Sequence, residues 1–145
     1  MNANQQKQAT LLTYAGLLPL VLALANQFLR VVPIDSLFWA ASYAAVIASF
    51  ICGIHWAVFL FFAGRSPINL LLTSNLICLS AWAALLLPAA WPVLVILILC
   101  FICLLAIDRR LHSDGLIPAW FYKLRQRASA GVIFCASGGA PRTGV

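Results

Sequence analysis

The chain has 145 residues, of which 64% are hydrophobic and only 8% are charged, and its net charge is +6. Soluble domains carry about 25% charged residues, so this composition excludes a water-soluble globular domain. It predicts an all-α membrane protein, because helices satisfy their own backbone polar groups in lipid. The positive charge does not indicate nucleic-acid binding, since no soluble domain remains to present a folded basic face.

The N-terminal part is predicted to contain a short cytoplasmic segment, residues 1–10, followed by a first transmembrane helix over about residues 11–29. Lys7 and Arg30 flank this helix. The sequence Ala23-Leu24-Ala25 resembles a signal-peptide cleavage site, but the apolar run continues beyond it. We therefore expect a retained helix, with cleavage as the alternative.

Three further apolar runs cover about residues 38–63, 68–87 and 90–107. Each is long enough to cross about 30 Å of hydrocarbon. The turn LPAAWP between the last two is very short, which predicts an antiparallel pair of helices. The predicted fold is an antiparallel bundle of four transmembrane helices over residues 11–107, with a short or vestigial fifth helix as a possible addition.

Basic residues indicate the orientation of this bundle. Lys7, Arg65 and the six basic residues after Ile107 fall on one side of the predicted membrane, and only Arg30 falls on the other. Cytoplasmic loops carry an excess of Lys and Arg. The distribution therefore predicts that the N-terminus and the C-terminus are both cytoplasmic.

The C-terminal part divides into two predicted segments. Residues 108–127 are basic and aromatic, and we expect them to lie on the cytoplasmic surface against anionic lipid headgroups. The expected headgroup-binding residues are Arg109, Arg110, Trp120, Lys123, Arg125 and Arg127. Residues 128–145 are only weakly apolar and too short for an ordinary span, so they are predicted to be a flexible tail, with a short fifth helix or a re-entrant segment as alternatives.

The second predicted helix carries small residues at every fourth position. They are Ala41, Ala45, Ser49, Gly53 and Ala57. Small residues allow helix backbones to approach closely in a membrane. This face predicts a central, packing helix, with a homo-oligomer or another membrane protein as a possible partner.

His55 lies on the same helix, about 13 Å from the predicted inner boundary. Thr73, Ser74 and Asn75 are at the same depth on the third helix, which predicts a polar intramembrane layer with a hydrogen bond from His55 to Asn75. Two interpretations remain open. His55 is either a neutral hydrogen-bonding residue between helices or a titrating group at a proton or ligand site. No Asp or Glu lies inside a predicted span, which favours the first.

No catalytic, metal or cofactor site is predicted. Cys100 and Cys103 form a C-x-x-C in mid-span, but no charge lies nearby to activate a thiol and the outer loops contain no second cysteine pair. His55, the one histidine in a predicted span, and His112, alone in the segment after the last span, do not form a metal-ligand set.

Several motifs together resemble a known family. They are Tyr-x-Gly-Leu-x-Pro at 14–19, Gly-Ile-His-Trp at 53–56, a Leu-Pro turn at 87–88, Asp-Arg-Arg at 108–110 and Leu-x-Pro-Ala-Trp-Phe at 116–121. This arrangement, over about residues 11–127, resembles the domain of unknown function 3429 family, whose eukaryotic member is the mitochondrial transmembrane protein 69. The resemblance implies a helical bundle in a bacterial inner membrane, or less expectedly in the mitochondrial one, and it implies no biochemical activity.

The chain differs from that family pattern at two places. The family usually has Gly where Cys52 and Ala57 stand here, and it usually ends with a solid fifth helix. The family pattern therefore implies a fifth helix that the sequence of residues 128–145 does not itself predict.

The function predicted from the sequence is that of a structural or assembly protein that acts through helix packing, not that of an enzyme. The alternative is a small transporter or proton-responsive module centred on His55 and Asn75. A membrane enzyme would need a set of polar groups at one interface, and only residues 108–112 offer one. Those residues are explained more simply as a helix end with arginines at the headgroups.

Overall fold

A computed structural model of the protein describes residues 2–62, 65 and 68–138. Met1, the predicted end of the second helix at Ala63 and the tail residues 139–145 lie outside this part of the chain. The described residues are all-helical and include no strand. The helices are α1 (Ala3–Ala15), α2 (Leu18–Leu29), α3 (Ser36–Phe61), α4 (Leu70–Ala84), α5 (Ala90–Ser113) and α6 (Ala119–Gly138).

Three stretches are long and apolar enough to cross a membrane by length and composition. They are Ala3–Leu29, Ser36–Phe61 and Ala90–Ser113, while α4 is a shorter apolar helix. The all-helical fold is thus confirmed, and the apolar helices indicate a membrane protein, as the composition predicts. These criteria do not reproduce the four predicted spans, because α4 has only 15 residues.

The first predicted helix begins earlier than expected and is divided in two. Gly16 and Leu17 form a turn in which Gly16 N–H donates to the Leu12 carbonyl (2.9 Å) and Leu17 N–H donates to the Tyr14 carbonyl (3.0 Å). Pro19 then lies in the first turn of α2. A proline at that position costs no helical hydrogen bond, because the first N–H groups of a helix have no partner within it.

The connection between α2 and α3 is fixed by side chains. The Asn26 side chain accepts from Val32 N–H (2.8 Å) and donates to the Ser36 hydroxyl (2.8 Å). Asp35 caps α3, since its Oδ1 accepts from the N–H groups of Leu37 and Phe38, each at 3.1 Å. These bonds set the angle at which the chain enters its longest helix.

Helix α3 is the centre of the bundle and packs against α2, α4, α5 and α6. Its small-residue face is divided by this packing. Ala41 and Ala45 are buried, Ala57 is half-buried, and Ser49 and Gly53 are exposed on the outside of the bundle. The buried face also includes Ala44, Ala48, Ile51, Cys52, His55 and Val58.

The C-terminal region differs from the sequence expectation. Helix α5 continues to Ser113, beyond the predicted end at residue 107, and the chain turns at Gly115, which has a φ of 70°. Glycine adopts a positive φ without the steric cost that a Cβ atom adds for most other residues. Helix α6 then runs without interruption across the predicted boundary between residues 127 and 128.

Helix α6 returns along the full height of the bundle. Near its start, Phe121 and Tyr122 pack against the apolar cluster that contains Ile107, and further along Val132 and Cys135 pack in the cluster that contains Ala41. Residues 119–127 therefore pack on the bundle, and residues 128–138 continue the same helix, as in the fifth-helix alternative and not as in a flexible tail. Burial of one face of α6 against neighbouring helices is the physical reason.

Candidate functional site

Three ionisable side chains meet at one buried point between α3, α5 and α6. His55 Nε2 lies 2.9 Å from Asp108 Oδ1, and Arg125 Nε donates to Asp108 Oδ2 at 3.1 Å. The exposed fractions of His55, Asp108 and Arg125 are 0%, 2% and 7%. We refer to these three residues as the charge cluster.

Asp108 reaches this point because it lies on the buried face of α5. Phe101, Leu104 and Leu111 precede and follow it at helical spacing, and all of them are buried. The carboxylate therefore projects among apolar side chains and not toward the helix end. Because α5 continues for more than a turn beyond Asp108, the residue is inside the helix and does not terminate it.

Arg125 reaches the cluster from α6. Leu124, Ala128 and Val132 are buried with it, which identifies the face of α6 that packs on the bundle. Ser129 lies one helical turn after Arg125 on this face and is 1% exposed. The turn at residues 114–118 places α6 beside α5, so that Arg125 comes within hydrogen-bonding distance of Asp108.

The charges of Asp108 and Arg125 offset each other. A buried charge is costly unless it is paired and hydrogen-bonded, and Asp108 accepts one hydrogen bond at each carboxylate oxygen. A carboxylate only accepts, so Nε2–H of His55 is the donor in that contact. With a neutral histidine, the three side chains together carry no net charge.

Three buried polar atoms have no hydrogen-bond partner among the residues that the structure describes. They are His55 Nδ1, Arg125 Nη2 and Ser129 Oγ. Most buried polar side-chain atoms in proteins have a partner. Two members of the charge cluster therefore keep hydrogen-bonding capacity that the described helices do not use.

The structure does not assemble the predicted polar layer. Asn75 is exposed and its amide donates to the Leu71 carbonyl (2.9 Å), so the predicted hydrogen bond with His55 is not formed. Thr73 and Ser74 donate to carbonyls of the preceding turn of α4. Counting residues along a helix predicts how deep a side chain lies, but it does not predict the direction in which that side chain points.

The predicted headgroup-binding residues separate into two groups. Four basic ones are exposed, as a headgroup contact requires: Arg109, Arg110, Lys123 and Arg127. Trp120 is half-buried, with its ring 5.7 Å from that of Phe121. Arg125 is corrected from a surface residue to a buried one, because it is paired with Asp108.

Asp108 is the candidate site residue that the sequence interpretation did not identify. The sequence pattern predicts a helix end at Asp108 and therefore no acidic partner for His55. A signal was present, since a single acidic residue lies at helical spacing with Phe101, Leu104 and Leu111. Arg125 carries the same signal on α6, as the one basic residue of that segment in register with Ala128 and Val132.

The described residues include no group of three or more His, Cys, Asp or Glu side chains that could hold a metal ion. All five cysteines are in the described part of the chain and none forms a disulfide. Cys100 is buried and its thiol faces the Ile77 carbonyl (3.8 Å), whereas Cys103 is exposed on another face of α5. The two cysteines of the C-x-x-C motif therefore face different directions, and neither forms a hydrogen bond with the charge cluster.

Comparison with known proteins gives one match. Residues 5–140 match a family that is described as protein of unknown function (DUF3429). No curated protein and no solved structure matches the chain. The family resemblance found in the sequence motifs is confirmed, while the likeness to transmembrane protein 69 stays a prediction.

Proposed function

The chain belongs to the DUF3429 family of proteins of unknown function, and from that premise we propose that it is a multi-pass protein of the bacterial inner membrane that acts by helix packing. In this role it is a structural or assembly component, in contact with a second copy or another membrane protein, and it catalyses no reaction. The anionic headgroups of the bilayer are its other partner.

The distribution of basic residues supports the proposed orientation. The ends of α3 and α5 and the start of α6 lie at the same end of the bundle, and Arg65, Arg109, Arg110 and Lys123 are exposed there. At the opposite end, the α2–α3 connection carries only Arg30. By the positive-inside rule the first end is cytoplasmic, together with the N-terminus.

One observation on α3 carries the assembly role. Gly53 is exposed, and a Cβ atom at this position would meet no other atom within 4 Å. No described helix of this chain therefore uses the close approach that a glycine allows. Ser49, one turn earlier, is also exposed, although its hydroxyl lies 3.3 Å from Cys78 Sγ of α4. The large apolar side chains of Phe50 and Leu60 are exposed on the same helix. A helix from outside the chain could pack there closely.

The test is the mass of the particle in which the protein leaves its native membrane under gentle extraction. We expect a particle larger than one chain, and we expect Gly53→Leu to reduce its mass to that of a single chain. The leucine should leave the thermal stability of the single chain unchanged, because it points into open space.

The matched control is Ala48→Leu, in the fully buried face of the same helix. This variant should lower the thermal stability through overpacking, by about 1–3 kcal/mol, whatever the oligomeric state. A wild-type protein that is extracted as a single chain, with or without Gly53→Leu, would contradict the assembly role.

The contact between His55 and Asp108 favours a second candidate function, a proton-responsive or proton-transporting module. A buried histidine 2.9 Å from a buried carboxylate is the arrangement that a proton relay requires. Asp108 supplies the acidic partner that the predicted spans lacked. Asn75 has no part in this module, since it lies outside the cluster.

Proton flux into liposomes with a pH-sensitive dye tests this candidate. The wild-type chain should carry a flux that His55→Ala abolishes. The control is His112→Ala, because His112 stacks on Tyr122 with ring centroids 4.9 Å apart and is not part of the charge cluster. Equal flux in wild type, His55→Ala and empty liposomes would exclude the candidate.

A further inference from the structure

A cavity of about 300 Å³ lies between the α1–α2 turn, α3 and α6. Its walls are mainly apolar and include Leu17, Ile47, Ile51 and Phe101. Leu12, Val46 and Phe50 also line it, and they are 71%, 62% and 72% exposed. The cavity therefore opens on the side of the bundle between α1 and α3, at the surface that faces lipid in a membrane.

Two residues that carry unpartnered polar atoms line this cavity, although the atoms themselves are buried. Arg125 and Ser129 both line it, and both are more than nine-tenths buried. Arg125 Nη2 and Ser129 Oγ have no hydrogen-bond partner among the described residues. Because the two residues are one turn apart on α6, their polar atoms lie on the same side of the helix. An apolar pocket with a few convergent polar groups is the usual form of a small-molecule site.

The hydrogen-bonding state of the charge cluster limits which polar group of a ligand can bind in the cavity. Arg125 Nη2 can only donate hydrogen bonds, so the ligand must present an acceptor. Asp108 already offsets the positive charge of Arg125 through the bond from Nε to Oδ2. An uncharged oxygen acceptor is therefore sufficient, and a cationic or purely hydrocarbon ligand would leave the donors unpaired.

We propose that this cavity binds a lipophilic molecule from the bilayer whose carbonyl or carboxyl oxygen accepts hydrogen bonds from Arg125 Nη2 and Ser129 Oγ. The apolar part of the bound ligand lies between α1 and α3 and extends toward the lipid through the lateral opening beside Phe50. A free fatty acid and a membrane quinone both have this chemistry. The proposal is independent of the assembly role, because Gly53 does not line the cavity.

The experiment measures the affinity of the purified full-length chain in detergent for palmitic acid, for a benzoquinone with a decyl side chain and for hexadecane. We expect at least one of the two oxygen-bearing probes to bind at least tenfold more tightly than hexadecane. Preference for the acid or for the quinone distinguishes the two sources of the ligand.

Two variants test the residues. Ser129→Ala removes one hydroxyl and should weaken binding of the preferred probe about three- to tenfold, as expected for one hydrogen bond. The chain should keep its fold, because the lost hydroxyl has no partner among the described residues. Val46→Trp should narrow the opening and weaken binding at least tenfold.

The matched control is Ser80→Ala on α4, where the exposed hydroxyl donates to the Leu76 carbonyl, away from the cavity. It should bind the probe as the wild type does. Equal affinity for hexadecane and both oxygen-bearing probes would overturn the proposal. Unchanged affinity in Ser129→Ala would also overturn it, since the hydroxyl would then have no role in recognition.

Discussion

At the scale of single residues, Asp108 decides how the buried polar groups are satisfied. It accepts hydrogen bonds from both His55 and Arg125, and each bond crosses from one helix to another. An Arg without this carboxylate would be a buried, unpaired charge. Since ionisable groups inside a membrane protein are costly and commonly functional, the charge cluster is where we expect substitutions to have their largest effects.

We predict that Asp108→Asn destabilises the protein by about 3–5 kcal/mol, because it leaves the charge of Arg125 buried and unpaired. The free energy of unfolding in mixed micelles measures this. Asp114→Asn is the control, since Asp114 is exposed at the end of α5 and its substitution should change stability by less than about 0.5 kcal/mol.

A paired substitution separates lost pairing from lost packing. The double variant Asp108→Leu with Arg125→Met removes both charges together and should recover much of the stability lost in Asp108→Asn, because apolar replacements of a buried ion pair are often neutral. If Asp108→Asn is as stable as the wild type, Arg125 is not held by Asp108 and the charge cluster is not a structural element.

At the scale of elements, α6 is the feature that changes the interpretation of the sequence most. Its first half is basic and aromatic, which predicts a surface segment, and its second half is weakly apolar, which predicts a tail. The two halves form one helix because Leu124, Ala128 and Val132 make a continuous buried face across the predicted boundary. The family pattern implied this fifth helix, whereas hydropathy alone did not.

We predict that Ala128→Pro disrupts the protein, because a proline in a helix interior removes a hydrogen bond and clashes with the preceding turn, at a cost of about 3 kcal/mol or more. Ala119→Pro is the matched control at the first position of α6, where a proline is tolerated. Circular dichroism and thermal melting in detergent measure both.

A chain in which both proline variants melt like the wild type would contradict this prediction. Residues around Ala128 would then not be held in a packed helix. The same result would also argue against the proposed ligand site, because Ala128 and Ser129 would then not form a fixed wall of the cavity.

At the scale of the whole molecule, α6 affects the membrane topology. It starts at the basic end of the bundle and reaches the cluster around Ala41, near the start of α3. If the basic end is cytoplasmic, as we propose, the end of α6 at residue 138 is on the opposite side. We then predict five crossings, with the N-terminus inside and residue 138 outside, in which α1 and α2 together form the first. The prediction counts α4 and α6 as crossings, although among the described helices only Ala3–Leu29, Ser36–Phe61 and Ala90–Ser113 are long and apolar enough to span by length and composition.

We predict that alkaline phosphatase is active when it is fused after Gly138, at the end of α6, and inactive when it is fused after Asp114. Green fluorescent protein at the same positions should give the reverse result. Residue 114 lies in the turn between α5 and α6, so the two fusions differ only by the passage of α6. Cytoplasmic behaviour at both positions would show that α6 does not cross.

The sequence alone determines that this protein consists of apolar helices and which family it belongs to. Its low charge, its long apolar runs and its family motifs are properties of neighbouring residues, and they predict membrane helices and the DUF3429 family without knowledge of the fold. Helix caps are equally local, as Asp35 at the start of α3 illustrates.

The tertiary structure alone decided which polar residues meet. His55 and Asp108 are 53 positions apart and Asp108 and Arg125 are 17 apart, so their contacts depend on how α3, α5 and α6 are rotated and packed. Depth along a helix gives the level of a residue but not its direction. Asn75 therefore faces outward although it was expected beside His55, and Arg125 is buried although its neighbours Lys123 and Arg127 are exposed.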